Sequence, residues 1–196
     1  GLNGKVDWRA RTSRPATTLG WDALALYRIA FGPAKLALQD QDGALVLEKP
    51  IATGVLGGSF QFSRLAWRPD GNKSQRLSAA FAVTDIDMPR LCEAFGWPAF
   101  GGKLGGAVPD LSYRGDDLVF AGGLSLNVFD GAVSVTNLSM RHPFGATPAL
   151  HADIDMHQLD LAQLTGVFDF GQITGRLDGD IQGLDLVGWK PAAFNA

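Results

Sequence analysis

Apolar and polar residues alternate along most of the chain, with a period of two residues. In the central part, Phe60 and Phe62 are followed, after one extra residue, by Leu65 and Trp67, so the alternation continues with its phase shifted by one position. A period of two places successive apolar side chains on one face of a β-strand. A shift by one residue is typical of a β-bulge. The pattern therefore predicts bulged β-strands that each have one apolar face.

The same pattern occurs twice in the sequence. A shift of 73 residues aligns 58–115 with 131–188 without a gap, and 13 of the 58 aligned residues are identical. The apolar positions match in phase, and the phase shift after Phe62 recurs after Val135. Because self-similarity at a fixed period is the mark of a repeat architecture, we predict two copies of one bulged strand arrangement.

Each copy is predicted to contain one short helix after its second strand. Asp87 and Asp160 stand where an N-cap is needed, and each copy then has a leucine and a phenylalanine four residues apart. That spacing puts one apolar stripe on a helix of about two turns. Gly96 is a helix-stop signal for the first copy. We therefore predict helices near 88–95 and 161–168.

The turns of the predicted sheet are marked by Asp-Gly pairs. Asp42-Gly43 and Asp130-Gly131 each separate two alternating apolar runs, which is a hairpin signal. We predict an all-β fold with minor short helices, in which a repeated antiparallel meander of about ten short strands forms an elongated curved sheet or groove. An open β-sandwich is the alternative. The predicted segments are a lead-in at 1–20, N-terminal strands at 21–57, repeat 1 at 58–130 and a truncated repeat 2 at 131–196.

The apolar face of such a sheet is larger than two short helices can cover. It is buried in a closed sandwich or barrel, or it stays partly open as a groove that holds acyl chains. The periodicity leaves both alternatives open. If the face is a groove, the alternating apolar set lines it: Phe60, Phe62, Leu65, Trp67, Phe81, Val83, Val133, Val135, Leu138, Met140, Ile154 and Met156.

Composition narrows the function classes. Lys and Arg number 17 against 20 Asp and Glu, and the basic residues are scattered, so the sequence predicts no nucleic-acid partner. Cys92 is the single cysteine, which excludes an intramolecular disulfide. The chain opens at Gly1 without a leader, and we expect an excised piece whose cut strand edges allow dimerisation.

The polar residues suggest little chemistry. His151, Asp153, Asp155 and His157 alternate along one predicted strand, but neighbours two residues apart are about 6.6 Å apart, too far for all four to reach one zinc ion. We predict that they form a solvated outer face. No Gly-x-Ser-x-Gly motif is present. The sequence therefore predicts a protein that is not an enzyme and has no catalytic residue, metal site or cofactor.

Ordered signals in the second copy carry a family resemblance. They are the hairpin run Phe129–Met140, the helix run Leu159–Leu164 and the phrase Ile-x-Gly-x-Leu-x-Gly-x-Ile at Ile173–Ile181, whose glycines recur at Phe100–Val108. In this order they resemble the C-terminal part of the YdbH-like family, one of the AsmA-like bacterial envelope proteins that include TamB. The resemblance covers about residues 42–196.

The resemblance implies a function in lipid transport. Members of this group are periplasmic bridges anchored in the inner membrane of Gram-negative bacteria, and they move phospholipid between the inner and outer membranes along a hydrophobic β groove. The implied partners are phospholipid acyl chains and proteins of the two membranes. The family offers no catalytic residues to carry over. The alternative from the residues alone is a closed β-sandwich that acts as a scaffold or protein-interaction module of the cell envelope.

Overall fold

The computed structural model describes residues 2–5, 17–26, 28–72, 76–114, 117–142, 145, 147–168, 171–188 and 190–195. Residues 6–16 of the predicted lead-in lie outside this part. The described residues form fifteen strands and two helices. The strands are β1 (Leu2–Lys5), β2 (Thr17–Trp21), β3 (Leu24–Leu26), β4 (Ile29–Phe31), β5 (Ala34–Gln41), β6 (Ala44–Leu47), β7 (Ile51–Val55), β8 (Gly58–Trp67), β9 (Leu77–Asp87), β10 (Lys103–Arg114), β11 (Asp117–Val128), β12 (Gly131–Arg141), β13 (Ala149–Asp160), β14 (Arg176–Val187) and β15 (Lys190–Asn195). The helices are α1 (Met88–Phe95) and α2 (Leu161–Phe168).

All strands belong to one antiparallel sheet. Its order is β1-β2-β5-β6-β8-β9-β10-β11-β12-β13-β14-β15, and β7, which carries β4 and β3, pairs with the first half of β8. Within the described residues β1 and β15 end this order, so the sheet is open. The predicted all-β meander is confirmed. The expectation of about ten short strands is wrong, because β8 to β14 have 10 to 12 residues each and the N-terminal part is divided into shorter pieces.

The predicted hairpins are present, but one turn differs in its residues. Asp42 and Gly43 form the turn between β5 and β6, with φ of 51° and 78°. Between β11 and β12 the turn residues are Phe129 and Asp130, with φ of 51° and 52°, and Gly131 is the first residue of β12. Positive φ at both central residues is the type I′ geometry that suits a two-residue hairpin. The second Asp-Gly pair therefore spans the end of a turn instead of forming it.

The predicted phase shifts are β-bulges at equivalent places in both copies. The pairing of β8 with β9 changes register between Phe62 and Arg64, and that of β12 with β13 changes between Thr136 and Ser139. Further bulges match in the same way, because β9–β10 and β13–β14 each change register twice at positions 73 residues apart. A bulge keeps the apolar residues on one face of the strand where a simple alternation would turn them over.

Both helices begin and end where the sequence predicts. The Asp87 carboxylate accepts a hydrogen bond from the Arg90 backbone N–H at 3.4 Å, and the Asp160 carboxylate accepts one from the Gln163 backbone N–H at 3.0 Å. These bonds satisfy N–H groups that a helix start leaves without partners. Gly96 ends α1 in the left-handed conformation, with φ of 70°. The N-cap and helix-stop predictions are therefore confirmed.

The core consists of two clusters of buried side chains. The helix-side cluster comprises Met88, Cys92, Val128, Phe129 and Leu159. The sheet cluster comprises Ala79, Val108, Leu111 and Leu118. The first cluster joins both helices to the sheet, since Leu91 of α1 and Leu164 of α2 pack against it. The two helices therefore cover one end of the strands, and the rest of the sheet depends on its own side chains for burial.

Candidate functional site: the apolar face of the sheet

The pairing register places the predicted lining residues on one face within each copy. In the first copy Phe60 lies opposite Val83 and Phe62 lies opposite Phe81. After the bulge, Leu65 lies opposite Ala79 and Trp67 lies opposite Leu77. Directly opposite residues of antiparallel strands point to the same side of the sheet. The first-copy members therefore share one side.

The second copy repeats this arrangement. Val133 lies opposite Met156, and Val135 lies opposite Ile154. Met140 lies opposite Leu150. Leu138 lies in the bulge of β12 between Thr136 and Ser139. The six predicted lining residues of this copy therefore also follow one side of their strands, in the same register as their counterparts.

Strands β10 and β11 join the two copies into one continuous face. Val108 of β10 lies opposite Phe81, and Gly106 lies opposite Leu124 of β11. Leu124 in turn lies opposite Val135. The apolar side of β8 and β9 is therefore the same side as that of β12 and β13.

Most of this apolar face is half-buried. Eleven of the twelve predicted lining residues are neither fully buried nor fully exposed, and Trp67 is 45% exposed. Some of them also pack against the core, with Phe62, Leu65 and Phe81 against the sheet cluster and Val133 and Met156 against the helix-side cluster. The face is therefore partly filled by its own side chains and partly accessible.

Several members of the same face were not among the twelve predicted lining residues. They belong to β10, β11 and β14: Val108, Leu111, Leu118, Phe120, Leu124, Leu126, Leu177, Ile181, Leu184 and Leu186. The alternation of Leu124 with Leu126 and of Leu184 with Leu186 is visible in the sequence and was the signal that could have found them. The candidate site therefore extends from β8 to β14.

Phenylalanine rings form a connected cluster on the first half of the face. The ring centroids of Phe60 and Phe62 are 4.7 Å apart, and those of Phe60 and Phe81 are 5.3 Å apart with the rings stacked. Phe31 of β4 lies 6.2 Å from Phe60, and Phe120 of β11 lies 6.4 Å from Phe81. These separations are in the range of favourable aromatic contacts. We call these five residues the phenylalanine cluster.

The opposite face is polar and its histidines pair with aspartates across strands. His151 Nδ1 lies 2.8 Å from Asp185 Oδ1, and His157 Nδ1 lies 2.7 Å from Asp178 Oδ1. The hydrogen bond from His157 lowers the pKa of Asp178 below its ordinary value. The histidine and aspartate side chains of both pairs are about half exposed or more. In the part of the chain that the structure describes, no three such side chains converge on a metal site.

A serine also lies beside one of these pairs. Ser139 is opposite His151 in the register, and both line a cavity of about 240 Å³ on the polar face together with Asp185. The His151 ring is held by Asp185, and Cε1 of the ring lies 3.8 Å from the position that a Cβ on Gly183 would take. Among the described residues the Ser139 hydroxyl has no hydrogen bond to this ring, so the geometry does not join a nucleophile to a base.

Neither helix of the described chain has the length and apolar character needed to cross a membrane. Comparison of the chain with models of protein families, with curated proteins and with solved structures found no match.

Proposed function

We propose that this chain is a segment of a periplasmic bridge protein that moves phospholipid between the inner and outer membranes of a Gram-negative bacterium, with the acyl chains on the apolar face of its sheet. The observation that carries the proposal is the single apolar face from β8 to β14, on which eleven of the twelve predicted lining residues remain half-buried in the folded chain. The resemblance to YdbH-like proteins in the order of motifs supports it further. The proposed role involves no bond making or breaking.

The chemistry of the face suits an acyl chain. Removal of apolar surface from water stabilises a complex by about 25 cal/mol per Å², or about 0.8 kcal/mol for each buried CH₂ group. A chain that lies along several half-buried side chains therefore gains free energy at each step, without needing a specific headgroup contact. Such binding is unselective and allows movement along the face, because neighbouring positions offer similar burial.

The dimensions of the face also suit an extended ligand. Seven consecutive strands, β8 to β14, contribute to it. Neighbouring strands are about 4.8 Å apart, so the face is roughly 29 Å across the strands. The hydrocarbon core of a bilayer is also roughly 30 Å thick but comprises two layers of acyl chains, so the face is longer than one acyl chain. A linear apolar chain matches this span better than a compact small molecule.

The proposal is tested by measuring phospholipid bound to the purified chain. The chain is purified gently, extracted with organic solvent and analysed by lipid mass spectrometry, beside the variant Val135→Gln. Val135 lies between Leu124 and Ile154 on the apolar face. Thr136→Gln is the matched control, because Thr136 is the next residue, is exposed and lies opposite Asp153 on the polar face.

We expect bound phospholipid in the parent chain and in Thr136→Gln, and a loss of it in a folded Val135→Gln variant. Phospholipid that is equally retained by both variants would contradict the proposal. A stable parent chain that carries no lipid would favour the alternative, a scaffold or protein-interaction module of the envelope. That alternative is favoured by one observation, namely that Val108 and Ala79 on the apolar face are each only 1% exposed and already packed by the chain itself.

A further inference from the structure

The two halves of the apolar face differ in the size of the residues at equivalent positions. Phe60 corresponds to Val133, and Phe62 corresponds to Val135. Phe81 corresponds to Ile154. The pairing register of β8 to β10 is the same as that of β12 to β14, so the difference lies in the side chains. The first repeat carries phenylalanine rings at three positions where the second carries aliphatic residues.

This difference in side-chain size changes how well the apolar residues of the central strand of each repeat, β10 or β14, are covered. Under the phenylalanine cluster, Val108 is 1% exposed and Leu111 is 9% exposed. Their counterparts in the second repeat, Ile181 and Leu184, are only half-buried. Because the rings of Phe81 and Phe120 approach to 6.4 Å across the intervening strand β10, they close over Val108. At these two positions, apolar surface is therefore covered by the chain itself in the first repeat and left partly accessible in the second.

We infer that the apolar face has a seat and a constriction: an acyl chain rests over β12 to β14, and the phenylalanine cluster blocks the adjacent positions over β8 to β11 until its rings move. This inference rests on the proposed function and specifies where on the face the ligand lies. The rings act as a barrier because edge and stacked contacts between them must be given up before a chain can take their place. Phe60 is central to the barrier, since it contacts Phe31, Phe62 and Phe81.

The seat can be located without any substitution. The purified chain is incubated with phosphatidylcholine vesicles that contain a phosphatidylcholine bearing a photoactivatable diazirine on one acyl chain. After illumination, the adducts are mapped by peptide mass spectrometry. We expect adducts on second-repeat residues such as Val135, Ile154 and Ile181, and few on Phe60, Phe62 and Phe81. Adducts concentrated on the phenylalanine cluster would overturn the inference.

Exchanging residues between the repeats tests whether the phenylalanine rings determine where the acyl chain binds. The opening variant Phe60→Val, Phe62→Val, Phe81→Ile gives the first repeat the residues of the second, and we expect adducts to spread onto β8 to β11. The filling variant Val133→Phe, Val135→Phe, Ile154→Phe does the reverse, and we expect loss of the adducts on β12 to β14. Thr136→Phe, on the polar face of β12, is the control for the added ring and should leave the adducts unchanged.

The outcomes separate this inference from the proposed function. If the parent chain binds phospholipid but its adducts are spread evenly over both repeats, or if both folded exchange variants keep the parent's adduct pattern, the constriction is wrong and the proposed function stands. If the parent chain gives no adducts at any residue, both fail. Circular dichroism and thermal unfolding identify a variant that does not fold, and the single change Phe81→Ile then replaces the opening variant.

Discussion

Replacing Gly131 with alanine tests the close approach of β12 to β13. A Cβ atom built on Gly131 would lie 2.5 Å from the His157 carbonyl oxygen and 2.6 Å from the Gln158 carbonyl oxygen. Both are backbone atoms, so rotation of a side chain cannot relieve the contact. Gln158 sits in a bulge with φ of 53°, which turns its peptide group toward β12. The added methyl group therefore requires the two strands to separate.

The size of the effect follows from this overlap. Contacts of a Cβ atom shorter than 3.0 Å essentially do not occur in proteins, and both of these are well below that limit. The backbone on both sides is held in the sheet. Overpacking of this kind costs about 1–3 kcal/mol. With a urea m-value of about 2 kcal/mol/M, a loss of about 2 kcal/mol lowers the midpoint of unfolding by roughly 1 M. We expect the same result for Gly58→Ala, whose Cβ would overlap the Thr84 carbonyl oxygen in the same way.

The assay is urea unfolding followed by circular dichroism, and Gly105→Ala is the matched control. Gly105 also lies inside a strand, but its nearest neighbour would be the Val83 carbonyl oxygen at 3.6 Å, an ordinary contact. This control should change the free energy of unfolding by no more than about 0.5 kcal/mol, or raise it slightly by restricting the unfolded chain. Equal midpoints for Gly131→Ala and Gly105→Ala would refute the close approach and the bulge that causes it.

Three further predictions concern the helix junction and the polar face. Leu159→Ala should lower the free energy of unfolding by about 2–5 kcal/mol in urea titrations, because Leu159 is 2% exposed in the helix-side cluster; a loss below that range would mean that the cluster is not well packed. Asp160→Ala removes the N-cap acceptor of the Gln163 N–H and should cost about 1 kcal/mol, most of which Asp160→Ser restores. The lowered pKa of Asp178 means that its carboxylate stabilises the fold above the ordinary value of 3.8 and that this contribution is lost as the pH falls below it. Urea midpoints measured through that pH range should therefore fall less steeply for Asp178→Asn or His157→Gln than for the parent chain, and parallel curves would contradict the pairing.

The strand and bulge pattern could be predicted because one face of each strand is apolar. A strand that kept strict alternation past Phe62 would turn Leu65 to the polar side, and only an extra residue restores it. The same reasoning applies to Val135 and Leu138 in the second copy. Helix ends were predictable for a different reason, since Asp87 and Gly96 act on backbone groups within a few residues of themselves. Local chemistry was sufficient for both features.

Contacts between distant residues could not be predicted in this way. Asp130-Gly131 has the composition of a hairpin turn, yet Gly131 is needed in the strand because the carbonyl groups of His157 and Gln158 come too close for a side chain. Nothing near Gly131 in the sequence indicates these groups, which are more than 25 residues away. The turn consequently forms one residue earlier, at Phe129 and Asp130.

The candidate site also has one feature that local sequence predicts and one that depends on distant contacts. The side of the sheet to which Phe60 or Val133 belongs follows from alternation, and the register confirms that both are on one face. How much of that face is already filled depends on strands that lie between the copies, because Phe120 and Val108 reach it from β11 and β10. The solvent accessibility of a side chain depends on its packing against other strands, so it cannot be predicted from alternation along one strand. Binding of lipid to this face stays a prediction.

The equivalent hairpin turns at the two ends of the first repeat also bear on how such a protein changes its length. β7 joins β8 through the turn at Leu56 and Gly57, and β11 joins β12 through the turn at Phe129 and Asp130, 73 residues later. A duplicated or deleted segment of 73 residues thus meets a two-residue turn with positive φ at both ends, which keeps the register of the strands next to the turn. Each such event lengthens or shortens the sheet by four strands, or about 19 Å. Gene duplication can therefore change the span of the sheet in fixed steps and without redesign of a junction.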